Sequence, residues 1–206
     1  MRRSALWLMP ILLTGCMPRL CAYAPGEAPR PAVVLPSNAP LAPTLNAIGK
    51  LDSERLFRFI RRRNPWLEEP LARQISEGIL AESERHAIDP RVVAAVISVE
   101  SSFNPKAVSP TGAKGLGQFL ASTAKDVGIS DPFDVDQGVK GTARYIAWLF
   151  RAWDGYPQRL ELALASYSSG IGTVQRQLKQ NRPLNGEQQK YLDAVRKMLE
   201  ALDRVS

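Results

Sequence analysis

From about residue 50 onward the apolar residues of this chain recur at steps of three and four, and no segment shows a convincing run of period-two alternation. Side chains three and four apart share one face of a helix, whereas a half-buried strand needs strict alternation. Leu71, Ile75 and Ile79 follow one another every four residues. Val139, Ala143, Ile146, Phe150 and Trp153 mark a second stripe across 137–154. Leu160, Ala163, Leu164 and Tyr167 mark a third, and Tyr191, Val195, Met198 and Leu202 a fourth. The run Val92, Val93, Val96, Ile97 and Val99 is valine-rich, so a buried strand competes there. Its start favours a helix, because Asp89 can cap and Pro90 suits the first helical position. The expectation is an all-α fold of about seven helices.

The first 49 residues obey different rules. Arg2 and Arg3 precede an apolar run from Ala5 to Leu13, too short to span a bilayer, which takes roughly 20 residues. This has the form of a secretory signal peptide over residues 1–15. Leu13-Thr14-Gly15-Cys16 resembles a bacterial lipobox, which implies cleavage before Cys16 and lipid on that cysteine. Two or more acyl chains anchor stably where one does not. Two alternatives stay open: an ordinary cut after Ala22-Tyr23-Ala24, disfavoured by Pro25, and an uncleaved anchor. Cutting before Cys16 removes Arg2 and Arg3 and lowers the net charge from +7 to +5. Seven of the 16 prolines then fall within residues 17–47, so 16–49 reads as a semi-extended, lipid-anchored tether. No role is evident for Cys21.

Composition excludes much chemistry. With one histidine and two cysteines, a zinc site of four Cys/His ligands is impossible and at most one disulfide can form. A Ser-His-Asp triad would have to use His86, which reads as a surface residue. No metal or other cofactor is called for. Arg61-Arg62-Arg63 lacks the aromatic platforms of a nucleic-acid reader and is expected to be a solvated helix end or a contact to an anionic envelope, with no nucleic-acid partner. Trp66, Trp148 and Trp153 are expected in the core, with a sugar platform as the alternative.

Glu100 stands out. It ends the valine-rich segment four residues after Val96 and three after Ile97, on the same stripe. A carboxyl on an apolar face resists ionisation, as a general acid at neutral pH must. Spacing alone favours a helix-end glutamate that reaches solvent; the neighbouring loop turns the reading toward a cleft. The stretch after it, 101–118, holds Pro105, Pro110, Gly112, Gly115 and Gly117, and so reads as a structured loop facing a cleft. Gly112 to Gly117 is not a nucleotide cradle, because no Lys-Ser/Thr follows the last glycine. Tyr167 and Tyr191 are read equally well as core tyrosines.

The motifs Glu100-Ser101-Ser102-Phe103-Asn104-Pro105 and Ala107 through Gln118 resemble the soluble-lytic-transglycosylase family, which is related to goose-type lysozyme. Asp131 to Asp134, Gly141 to Tyr145, Ala163 to Tyr167, and Glu187 with Tyr191 continue the resemblance in order across about 88–192. It implies a lysozyme-like helical domain over 88–206, with 50–87 a helical extension. It implies cleavage of the β-1,4 bond between N-acetylmuramic acid and N-acetylglucosamine in peptidoglycan, closing a 1,6-anhydro ring without water. Glu100 would serve as acid and then base. Ser101, Gly117, Gln118, Tyr167, Ser168 and Tyr191 would line the substrate cleft. The partners implied are peptidoglycan strands and, through Cys16, a membrane, with residence in the cell envelope facing the periplasm, as an outer-membrane lipoprotein. Ser168 and Gly138 stand where the family commonly has Asn. A hydrolytic muramidase, a weakened peptidoglycan-binding protein, and an enzyme serving an unidentified secretion machine remain rivals. The helices within 51–86 could hold such a partner or pad the core.

Overall fold

Asp52 accepts a hydrogen bond from the Arg55 amide at 2.8 Å and so starts the first helix where the proline-rich stretch ends. The computed structural model describes residues 51–205. The expected signal peptide, Cys16, Cys21 and the tether therefore lie outside the described residues.

Eight helices make up the described chain: α1 Ser53–Arg63, α2 Glu69–His86, α3 Pro90–Ser101, α4 Ala121–Asp126, α5 Val135–Ala152, α6 Arg159–Ser169, α7 Ile171–Lys179 and α8 Gly186–Asp203. The all-α expectation holds, with one helix more than the seven expected. The extra element comes from Gly170, whose φ of 81° ends α6 and starts α7 in a new direction. Between α3 and α4 the chain makes turns and two isolated antiparallel bridges, Val108 with Lys114 and Lys114 with Phe119.

The valine-rich segment is a helix despite its β-branched content. Asp89 caps it by accepting from the Arg91 amide at 2.8 Å, and Pro90 occupies its first turn. Every residue from Val92 to Ser98 is buried. Helix α3 touches α1, α2, α5 and α8, so it has little need of a polar face. Burying each of these Val and Ile side chains contributes about 1.5–3 kcal/mol, which outweighs the small helix-propensity deficit of valine. Helices α2 and α5 pack along each other, and α6 is wedged between α5, α7 and α8. Helices α1 and α2 share this one core: Leu56, Phe59, Ile60, Ile75 and Ile79 are buried in it.

Three surface readings change. Trp66 is 93% exposed on the α1–α2 turn and is not a core residue. Leu67, its neighbour, supplies the buried anchor of that turn instead. Trp153 is buried and donates to the Ser166 hydroxyl, while half-buried Trp148 stacks on Tyr145. His86 is half-buried, with Nε2 3.7 Å from the carboxylate of buried Glu82 one turn before it. The arginine run is only partly solvated. Arg61 donates to the Leu67 carbonyl and Arg63 to the Ser98 hydroxyl, leaving Arg62 exposed.

Candidate active site

Helix α3 carries Glu100 as its next-to-last residue and ends in two left-handed residues, Ser102 at φ 50° and Phe103 at φ 59°. Left-handed backbone is costly for a residue with a Cβ and persists only where the surroundings hold it. Here the Phe103 ring is fully buried, edge-on to Phe59 at 5.9 Å, and its carbonyl accepts from Asn64. Helix α1 thus pins the exit of the segment that carries Glu100.

The Glu100 residue keeps partial surface exposure, but its carboxyl end is enclosed by protein. Burial raises its pKa to about 7, and a hydrogen bond from Tyr191 pulls the other way. The Tyr191 hydroxyl donates to Glu100 Oε1 at 2.7 Å. Among the described residues no second carboxylate contributes to that shift. Near neutral pH the group therefore exists in both protonation states.

Tyrosines surround it. The rings of Tyr167 on α6 and Tyr191 on α8 stack with centroids 6.5 Å apart and planes 11° from parallel. Tyr145 lies 5.1 Å from Tyr167, and Phe119 closes the cluster at 5.9 and 6.0 Å from the two. Burial, then the nearby charge of Glu100, holds the Tyr167 and Tyr191 hydroxyls well above the usual tyrosine range. Both hydroxyls therefore keep their protons near neutral pH, where they act as hydrogen-bond donors.

Besides the Phe119 ring, the loop between α3 and α4 meets this cluster with its backbone. The Tyr167 hydroxyl donates to the Gly117 carbonyl at 2.9 Å. A Cβ on Gly117 would lie 2.4 Å from Thr142 Oγ1, 2.6 Å from the Phe119 ring and 2.9 Å from the Tyr167 oxygen. Gly115, at φ 74°, passes so close to Pro132 that a Cβ would sit 1.8 Å from its carbonyl oxygen. Gln118 spends both amide hydrogens on the loop, donating to Gly115 O at 2.9 Å and Ala107 O at 3.2 Å.

The structure thus brings Glu100, Tyr167, Tyr191 and Gly117 together. The other expected cleft residues are placed nearby in sequence but aim their hydrogens elsewhere. Ser101 donates to Ile97 O and buried Ser168 to Ala165 O, each within its own helix. Gly138 is buried on α5, where an added Cβ would come within 3.3 Å of the Leu116 side chain, a tight contact that Leu116 would have to yield to. Sequence reasoning missed Phe119, Thr142 and Gln188 as parts of the site's frame. Phe119 is an aromatic beside the glycine loop, and Gln188 stands three after Asn185 in the spacing of a capping box; Thr142 carries no local signal. Among the described residues no group of three or more His, Cys, Asp or Glu could hold a metal.

Comparison with known proteins places the chain in a family. The membrane-bound lytic murein transglycosylase F of Shewanella pealeana is 44% identical over 109 residues, which is 50% of this chain and 23% of that protein. Its namesake from Pseudomonas syringae pv. syringae is 38% identical over 125 residues, 58% of this chain and 24% of that protein. The chain therefore spans about a quarter of the length of the curated relatives it matches. An X-ray structure of an inactive mutant of lytic transglycosylase Slt from Pseudomonas aeruginosa overlays with a TM-score of 0.49 at 17% identity, covering 80% of this chain and 30% of that one, a likeness too loose to carry an argument. The family model for the transglycosylase SLT domain matches residues 77–190, from the middle of α2 to the first turn of α8 and over half the chain, so the protein belongs to the transglycosylase SLT domain family.

Proposed function

We propose that the domain is a peptidoglycan lytic transglycosylase in which Glu100 is the acid and then the base. The observation that carries this reading is the enclosed Glu100 carboxyl, held near neutrality by burial and met by Tyr191. In the first step protonated Glu100 gives its proton to the glycosidic oxygen between N-acetylmuramic acid and N-acetylglucosamine, and the C1–O bond breaks. In the second, the Glu100 carboxylate takes the proton of the muramic acid 6-hydroxyl as that oxygen bonds to C1. The products are an N-acetylglucosamine end and a 1,6-anhydro end, with Glu100 protonated again. Most glycosidases need two carboxyl groups. Here the nucleophile belongs to the substrate, which fits a shift on Glu100 to which no second carboxylate contributes.

In this reading Tyr191 holds the carboxyl in place, Tyr167 with the Gly117 carbonyl shapes the wall, and the loop from Ser101 to Gln118 borders the glycan. Ser168 lies behind that wall, its hydroxyl turned into α6. The anchoring reading stands alongside: Cys16 carries lipid, the tether holds the domain off the membrane, and the protein acts from the outer membrane on the periplasmic wall. Among the described residues no helix is long and apolar enough to cross a membrane.

Mass spectrometry of fragments released from purified sacculi tests the reaction. Anhydro ends from the wild type, and their loss in Glu100→Gln, are expected. Reducing ends would mean hydrolysis by water, and binding without soluble product would mean a carrier of the fold without turnover. Metabolic labelling with a palmitate analogue, lost in Cys16→Ala, tests the anchor.

A further inference from the structure

Tyr191 reaches Glu100 across 91 residues of sequence, so the contact depends on how α8 is held against the rest of the molecule. Gln188 lies three residues before Tyr191, one turn along the same buried face of α8. It is a primary amide with 1% exposure, and such a group is costly unless every polar atom is satisfied. Its Nε2 donates to Gln177 Oε1 at 2.9 Å and to Ser169 Oγ at 2.8 Å. Its Oε1 accepts from Gln177 Nε2 at 3.1 Å and from the Asn185 amide at 2.7 Å. Its own backbone amide donates to Asn185 Oδ1 at 2.9 Å.

The two glutamines therefore form a reciprocal amide pair between α7 and α8. The third contact, Ser169, is the last residue of α6, two positions after Tyr167, and passes the chain of bonds on to Ala165 O at 2.8 Å. One side chain thus ties together the end of the helix that carries Tyr167, the helix after it, and the start of the helix that carries Tyr191. We propose that Gln188 is a positioning residue that fixes the rotation and height of α8, so that the Tyr191 hydroxyl stays on Glu100. A cap alone would need only the Asn185 bonds; the pairing with Gln177 and Ser169 sets where the helix stands relative to α6.

This inference rests on the proposed acid–base role of Glu100 and adds how that role is maintained. The titratable groups that face Glu100 are Tyr191 on α8 and Tyr167 on α6, with Tyr145 on α5 behind them. Of these the Tyr191 bond lowers the proton affinity of Glu100. Loosening it lets Glu100 keep its proton to higher pH, so the alkaline limb of the pH–rate profile moves up.

The test measures initial release of soluble fragments from sacculi against pH for the full chain, in Gln188→Leu, Gln177→Leu, Tyr191→Phe, Gln188→Leu with Tyr191→Phe, and Glu100→Gln. Gln177 is half-buried, so its leucine variant keeps the experiment decisive where Gln188→Leu fails to fold. The expected result is a rate near the optimum lowered about tenfold in Gln188→Leu, a limb displaced upward in both glutamine variants, and no further displacement by Gln188→Leu once Tyr191 is Phe. A limb that stays at the wild-type pH in a folded glutamine variant, or one that moves equally in the Tyr191→Phe background, overturns the proposal. Turnover retained by Glu100→Gln overturns the acid–base reading itself, which separates that failure from this one.

Discussion

Helices α6 and α8 approach Glu100 with side chains, whereas the segment between α3 and α4 meets the same tyrosines with the backbone of its glycines and one ring, Phe119. On the helical side Tyr167 and Tyr191 are large, buried and stacked, and their hydroxyls point at specific acceptors. On the loop side Gly115 and Gly117 offer carbonyls and leave no room for a Cβ, and Gln118 is consumed in holding the loop closed. The difference teaches that one wall is tuned by changing atoms at the tip of a ring, while the other tolerates no added atom at all. Chemistry and shape are thus assigned to different elements of the same site.

Replacements can break this contrast, and Glu100→Gln has the largest expected effect on turnover: loss of anhydro products by a factor of a thousand or more, on the order of the upper range for general acid–base groups. The same variant is expected to gain stability. A carboxyl whose folded pKa is raised from an ordinary 4.5 to about 7 costs the folded state nothing below about pH 4.5. As pH rises from there to about 7, the unfolded chain ionises Glu100 while the folded one does not, and stability falls by roughly 3 kcal/mol. Thermal melts of wild type and Glu100→Gln should therefore coincide near pH 4 and separate by pH 8, with the variant higher.

On the loop side, Gly115→Ala and Gly117→Ala should each destabilise by about 3 kcal/mol or more, since neither the Pro132 carbonyl nor the Thr142–Phe119–Tyr167 cluster can retreat freely. Urea unfolding measures this. A Gly117→Ala variant as stable as wild type would show that the wall has slack and would erase the contrast. Tyr191→Phe, which removes one oxygen from the helical wall, should leave stability within roughly 1–2 kcal/mol. It should also move the alkaline limb of activity above its wild-type position near pH 7. Ser168→Ala is expected to do least, below threefold in rate and within about 0.5 kcal/mol, because its hydroxyl serves only a backbone carbonyl of its own helix. A large effect there would mean that the hydroxyl turns outward to bind sugar.

What the sequence disclosed follows the same division. Glu100 four residues after Val96, and Tyr167 seven after Leu160, are local spacings, and helices translate local spacing directly into shared faces. That made the all-α fold and the placement of Glu100 readable, and the ordered motifs made the family readable. Partnerships over long separations were not. Nothing in Gln177 or Gln188 announces that they will pair, because that depends on the direction α7 takes after Gly170. Ser168 looked like a ligand contact, but a helical serine can bond its own turn, and here it does. Trp66 looked like core because tryptophan usually is; the neighbouring Leu67 took the buried place.

The unequal burial of the tryptophans gives the molecule a built-in optical record of its own unfolding. Trp66 stands in water, Trp148 is half covered against Tyr145, and Trp153 is sealed with its indole N–H on Ser166. With 93% exposure, Trp66 should emit as a solvated indole already in the native state, dilute the spectral shift on denaturation and be quenched by acrylamide before Trp153. In a chain cut before Cys16, which lacks Trp7, Trp66→Phe leaves Trp153 to report on the packing of α5 against α6, and Trp148 to sense events at the tyrosine cluster, so that opening of the site and melting of the core become separable colours in a single sample.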